Sequence, residues 1–199
     1  MPSDAGTNRI GGLEALIGAQ AAKGPAPVEE WDPPYCGDIG LRIRSDGVWL
    51  YRDSPIARPA LVKLFAGVLR KDPDGRHYLV TPAEKIDVAV DDAPFLAVEM
   101  ETRGAGRFQG LIFRTNVDDI VTAGPERPLR FAVEPGSGGL KPYLLVRGRL
   151  EALVTRPLAY DLVEIATTED GRGLGVWSDG AFFPVPDGSP AGSAADRGP

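Results

Sequence analysis

The sequence predicts an α+β fold built from a duplicated unit of strand, strand, helix, strand, strand, with mostly antiparallel sheets. Three observations carry this expectation. Short runs of alternating apolar and polar residues are separated by Asp-Gly and Gly-rich turns, the mark of hairpins. In the body of the chain, helical spacing of apolar residues occurs in two short stretches, each opened by Arg-Pro. Those stretches, "ARPALVKLFAGVLRKDPDGR" from Ala57 and "TRPLAYDLVEIATTEDGR" from Thr155, share an order of signals that ends at Asp-Gly-Arg. One helix per half covers one face of a sheet, which separates α+β from a doubly wound α/β fold.

Taken in order, Thr7 or Asn8 can cap a helix to about Ala22, with Ile10, Leu13, Leu16 and Ile17 on one stripe. "KGPAPVEEWDPP", Lys23 to Pro34, carries four prolines and reads as an extended linker over the surface. Leu41 and Ile43 alternate with Arg42 and Arg44, turn at Asp46-Gly47 and resume as Val48 to Tyr51. Pro59 suits the first position of a helix, where its missing N–H has no partner to lose, and Leu61, Leu64, Phe65, Val68 and Leu69 form its stripe. "RHYLV" and "IDVAV" follow as strands. The second copy reads "YLLVRGRLEALV" as two strands about Gly148. A helix from Pro157 then buries Leu158, Leu162, Ile165 and Ala166, and two strands, "GLGVW" and "AFFPV", end the copy. Aligning Pro59 with Pro157 sets Lys63 against Asp161. Three or four strands lie between the copies, with turns at "RGAGR" and "GPERP", and join the second unit as a sheet of six or seven strands under one helix. The expected divisions are 1–30 for helix and linker, 31–93 for the first unit, 94–186 for a larger second unit, and 187–199 for a small, polar, disordered tail.

At 199 residues the chain holds one large domain or two small ones. Twenty-eight acidic against 22 basic side chains leave a net charge of -6, which argues against nucleic acid, whose affinity comes from neutralising phosphates. The single cysteine, Cys36, makes no internal disulfide and points to the cytoplasm. Neither a leader pattern nor a run near the ~18 apolar residues of a membrane span is present.

"DGVWLY", "SPIARPALVKLF", "YLVTPAEK" and "DDAPF", followed by "RTNVDD", "RPLRF" and "GRLEALVTRPLAYDLVE", together resemble the family of mainly proteobacterial proteins called domain of unknown function 1285 (DUF1285), over about Trp31 to Pro186. The resemblance implies a duplicated α+β fold, a second domain superficially like pleckstrin-homology domains, a ligand site where the domains meet, and a role in signal transduction. Asp53 stands where a glycine is expected in the turn before "PI".

Chemistry is less legible. His77, the only histidine, starts a strand and reads as an edge residue, and Cys36 reads as an inert thiol. One Cys and one His do not make a zinc site. "RGAGR" and "DGRGLG" are followed by no helix and read as hairpin turns rather than phosphate loops. Asp87, Asp91 and Asp92, with Asp118 and Asp119 after "RTN", could bind a cation only if the chain bends, since neighbours on a strand face opposite ways. Arg58 and Arg156 each precede a helix whose positive end repels them. Either each pairs with a protein carboxylate such as Asp92 or Glu151, or they offer a guanidinium to an anionic ligand against Trp49, Tyr51 and Phe95. The ligand-site candidates are thus Trp49, Tyr51, Arg58, Asp91, Asp92, Phe95, Thr115, Asn116, Arg156 and Tyr160. The favoured function is a non-enzymatic module that binds a small anionic ligand or a protein between its units, with no cofactor or metal. A metal-dependent hydrolase using the Asp clusters and a structural homodimer are the alternatives.

Overall fold

The computed structural model describes residues 5–21, 26–169 and 171–186; the C-terminal segment expected to be disordered, part of the proline-rich linker and Asp170 lie outside them. Helix α1 spans Ala5–Ala21. A first sheet is formed by β1 (Tyr35–Ile43), β2 (Trp49–Tyr51), β3 (Ser54–Pro55), β4 (Leu69–Lys71), β5 (His77–Val80) and β6 (Lys85–Val90), with α2 (Pro59–Ala66) between β3 and β4. A second contains β7 (Phe95–Arg103), β8 (Gly110–Thr115), β9 (Ile120–Thr122), β10 (Leu129–Val133), β11 (Leu140–Arg147) and β12 (Leu150–Val154). Helix α3 (Arg156–Glu164) follows, then a three-stranded sheet of β13 (Thr167–Glu169), β14 (Gly173–Ser178) and β15 (Ala181–Pro184).

The fold is α+β, with two similar sheet-and-helix units. The first sheet runs β3-β2-β1-β6-β5-β4 and the second, from its β9 edge, β9-β8-β7-β12-β11-β10, so adding six to each label converts one into the other. Strand directions agree as well. Each sheet consists of two antiparallel meanders joined by one parallel central pair, β1 with β6 and β7 with β12.

This duplication is offset from the one expected from the Arg-Pro and Asp-Gly-Arg words. Helix α2 lies between the third and fourth strands of its unit, whereas α3 follows the sixth strand of its own, so Pro59 and Pro157, and with them Lys63 and Asp161, are not equivalent. The two strands after α3 do not complete the second six-stranded sheet; with β13 they form a sheet of their own. Arg-Pro marks a helix start and Asp-Gly a tight turn wherever either is needed, so their shared order does not report a shared place in the sheet.

Local chemistry accounts for the elements. At the β1–β2 turn the Val48 N–H donates to Asp46 Oδ1 at 3.2 Å and Gly47 takes φ +81°, a conformation that a side chain disfavours. Before β3, Arg52 and Asp53 have φ of 47° and 63°, which explains why a glycine is expected at Asp53. Helix α2 ends at Ala66 and closes with the Val68 N–H donating to the Phe65 carbonyl at 3.1 Å, so Val68 and Leu69 are buried beyond the helix and Leu69 belongs to β4. Ile165 and Ala166 likewise follow α3 rather than lie on it. On α1, Leu13 and Ile17 are buried while Leu16 is half exposed, which narrows the expected stripe. The linker is not simply draped over the surface: Val28 is buried, and the Arg70 guanidinium donates to the carbonyls of Val28 and Trp31, both at 2.7 Å.

A contiguous core runs through both units, with Trp49, Phe65 and Leu79 in the first and Phe95, Leu111, Phe113 and Leu144 in the second. The third sheet is fixed to the second by Ser178, which is fully buried. Its hydroxyl accepts from the Leu111 N–H at 2.8 Å and donates to the Ala123 carbonyl at 2.7 Å. Ser178→Ala leaves two buried backbone groups unpaired, and is expected to lower unfolding stability by about 1–3 kcal/mol in a chemical denaturation curve.

Candidate functional site

The units meet at the β8–β9 turn. Thr115, fully buried at the end of β8, accepts the Asp119 N–H at 3.0 Å and the Val117 N–H at 3.3 Å on its hydroxyl, and Asp118 adopts φ +70°. Asp118 thereby reaches Lys63 of α2 and Arg114, and the hydrogen bond from Lys63, then that from Arg114, lowers its pKa. Asp119 accepts from Arg147 at 2.6 Å, and the same guanidinium donates to the Ala66 carbonyl at the end of α2, also at 2.6 Å. Asn116 is bound to β7 both ways: its Oδ1 accepts the Leu96 N–H at 3.0 Å and its own N–H donates to the Leu96 carbonyl at 2.8 Å. A cavity of 520 Å³ lies beside this seam, lined by Ile17, Lys63, Leu64, Val117, Asp119 and Arg147 among others. Each of its charged side chains already has a partner.

A second cleft, of 620 Å³, opens between Ser45 in the β1–β2 turn and the end of the second sheet. Arg156, Ala159, Tyr160 and Val163 line it from α3, at i, i+3, i+4 and i+7, so they form one helical stripe. Leu162, buried, turns the other way into the core. Across from the helix are Leu96 and Leu153, neighbours in the β7–β12 register, and Leu140. The Arg156 Nε donates to Tyr160 Oη at 3.3 Å, and among the described residues the guanidinium has no carboxylate partner. Lys141, also in the lining, is bonded to Asp92, which raises its pKa; Tyr143 Oη donates to the same carboxylate at 2.7 Å.

Of the ten candidates, Arg156 and Tyr160 therefore line this cleft, and Asp92 holds a lysine at its wall. Trp49 and Phe95 do not form its apolar side: both are buried in the core, where Trp49 packs on Phe65 with ring centroids 6.3 Å apart. Tyr51 is half buried on β2, beneath the guanidinium of Arg52. Arg58 does pair with a carboxylate, but the partner is Glu14 of α1, at 2.6 and 3.0 Å, and not Asp92 or Glu151. Glu151 is taken by Arg130. Asp91 pairs with Arg42 at 2.7 Å, and Thr115 and Asn116 hold the seam turn. The acids of "DDAPF" and "RTNVDD" thus go to separate cations, and no group of three metal-ligating side chains occurs among the described residues. Asp87 accepts from Tyr35 and from Arg76, and Cys36 is exposed. No helix of the described residues is long and apolar enough to cross a membrane.

Residues 26–93 match the DUF1285 N-terminal domain and residues 94–185 the DUF1285 C-terminal domain, described as a protein of unknown function. The chain belongs to the DUF1285 family. Its fold is similar to that of a DUF1285 protein from Silicibacter pomeroyi DSS-3, 48% identical, with 85% of this chain and 93% of that one covered and a TM-score of 0.78. A DUF1285 protein from Shewanella baltica OS155 aligns at 24% identity over 63% of this chain and 91% of its own, with a TM-score of 0.49. No curated protein matches the chain. Helix α1 lies before the residues that match the DUF1285 N-terminal domain.

His77 is half-buried, and its strand β5 is not an edge but lies between β4 and β6. Its Nε2 is buried with no hydrogen-bond partner among the described residues, and burial, with Lys71 opposite in the β4–β5 register, pushes the imidazole down to about 4. A folded pKa below the ordinary 6.5 means that the unfolded chain takes up the proton first. Stability is then expected to fall as pH drops from 6.5 towards 4 and to be insensitive to this group above 6.5, with His77→Gln removing that slope from the denaturation midpoints. At the seam, Arg147→Met is expected to cost about 1–2 kcal/mol by the same measurement, since the pair it breaks is partly solvated.

Proposed function

We propose that this DUF1285 protein is a ligand-binding module that takes a small anionic molecule in the cleft between its units. The observation that carries the reading is Arg156: a guanidinium at the lip of a 620 Å³ cleft, steadied by Tyr160 and without a carboxylate partner among the described residues. Clefts of about 300–1,000 Å³ with mostly apolar walls and a few convergent polar groups are the usual form of small-molecule sites. An arginine at the start of a helix is electrostatically unfavourable unless an anion compensates it, and a bound anion would meet the helix N-terminus as well. Arg58, the other such arginine, already has Glu14. The likeness to pleckstrin-homology domains belongs to the same proposal, supported by the order of two meanders closed by α3 in the second unit.

A thermal-shift panel of small carboxylates and phosphates tests this. A ligand at a hundred times its Kd adds about 2.7 kcal/mol, which for a chain of this size is a rise of roughly 5–10 °C. The rise is expected to vanish in Arg156→Ala and to persist in Arg58→Ala. No shift with any anion, or an undiminished shift in Arg156→Ala, rejects the cleft.

A further inference from the structure

Resting on that reading, we infer that the ligand is an amphiphilic monocarboxylate: one carboxylate on Arg156 and an unbranched aliphatic chain along the cleft floor. The charge pattern sets the head group. Arg156 supplies one planar fork, which matches a carboxylate through two parallel N–H donors. The second cation in the lining, Lys141, is already bonded to Asp92, and Glu134 places a carboxylate at the rim. A second negative charge on the ligand, as on a phosphate monoester, would find no free cation there and would meet Glu134.

The apolar surface sets the tail. Leu96 and Leu153 sit side by side on the outward face of the second sheet, partly buried, where alternation would ordinarily place polar residues. Leu140 lines the cleft as well, and Val163 and Tyr160, 44% and 60% exposed, line it from the helix. Helix α3 therefore has two apolar sides. One is Leu158, Leu162 and the following Ile165 in the core; the other is Tyr160 and Val163, both exposed among the described residues, beside the buried Ala159. A fixed positive group at one end of an apolar trough is the complement of a fatty acid of short or medium length.

Calorimetric titration of the full chain with butyrate, hexanoate and octanoate, each below its micelle concentration, and with n-octanol and inorganic phosphate, decides it. The expected result is a rise in affinity of roughly fourfold per added methylene, with n-octanol and phosphate far weaker than octanoate. Arg156→Met is expected to weaken octanoate at least about tenfold. Leu153→Ser should flatten the dependence on chain length, and the series on the unaltered chain stands whether or not that variant folds. Equal affinity along the series, or octanoate binding that ignores Arg156→Met, overturns the monocarboxylate. Phosphate binding that needs Arg156 while octanoate fails would overturn it and leave the anion cleft standing. Failure of every probe overturns both.

Discussion

The hydroxyl of Thr115 holds the turn on which the junction of the two units depends. It is buried and spends its acceptor capacity on the backbone N–H groups of Val117 and Asp119. With the backbone fixed, adjacent aspartates point to different partners: Asp118 to the side of α2 at Lys63, Asp119 to Arg147, which in turn closes the carbonyl end of α2 at Ala66. One small side chain thus sets where the first unit's helix rests on the second unit. It also fixes Asn116 against Leu96, and so the start of β7, one wall of the candidate cleft.

Elements were readable from the sequence where their signals are local. Asp46-Gly47, Asp74-Gly75 and Asp179-Gly180 sit at the hairpin turns expected of them, each with its glycine at positive φ, and both Arg-Pro words open helices. The pairing of strands far apart in the chain was not readable. Nothing in "YCGDIGLRI" reveals that β1 lies parallel to β6, and nothing in "LEALV" that β12 lies against β7. The Arg-Pro words therefore signal a duplication but align it on its helices, whereas its period is six strands.

The same division holds for the site. Arg156 and Tyr160 could be singled out because a charged residue before a helix and an aromatic within it are local features. Trp49 and Phe95 lie in the core instead, because an aromatic on a strand says nothing about which side of the sheet will be covered. Leu96 and Leu153 have no local signal, whereas α3 carries one for Val163: Ala159, Tyr160 and Val163 lie on the side of the helix away from Leu158 and Leu162. The partners of the acids, by contrast, come from distant segments such as Lys141 for Asp92 and Lys63 for Asp118, which no spacing rule relates.

The parallel central pair has a consequence for how the chain is made. A strand leaving the ribosome early, β1, gains its inner neighbour only when β6 has been synthesised, and β7 must wait in the same way for β12. Closing such long loops carries an entropic cost before any sheet contact rewards it. In the interval each half exists as hairpins with one uncovered inner edge, the state most open to pairing with a second nascent chain. Because the earlier sheet is complete before the later one begins, the two intervals do not overlap, and only one sheet at a time waits for its central partner during translation.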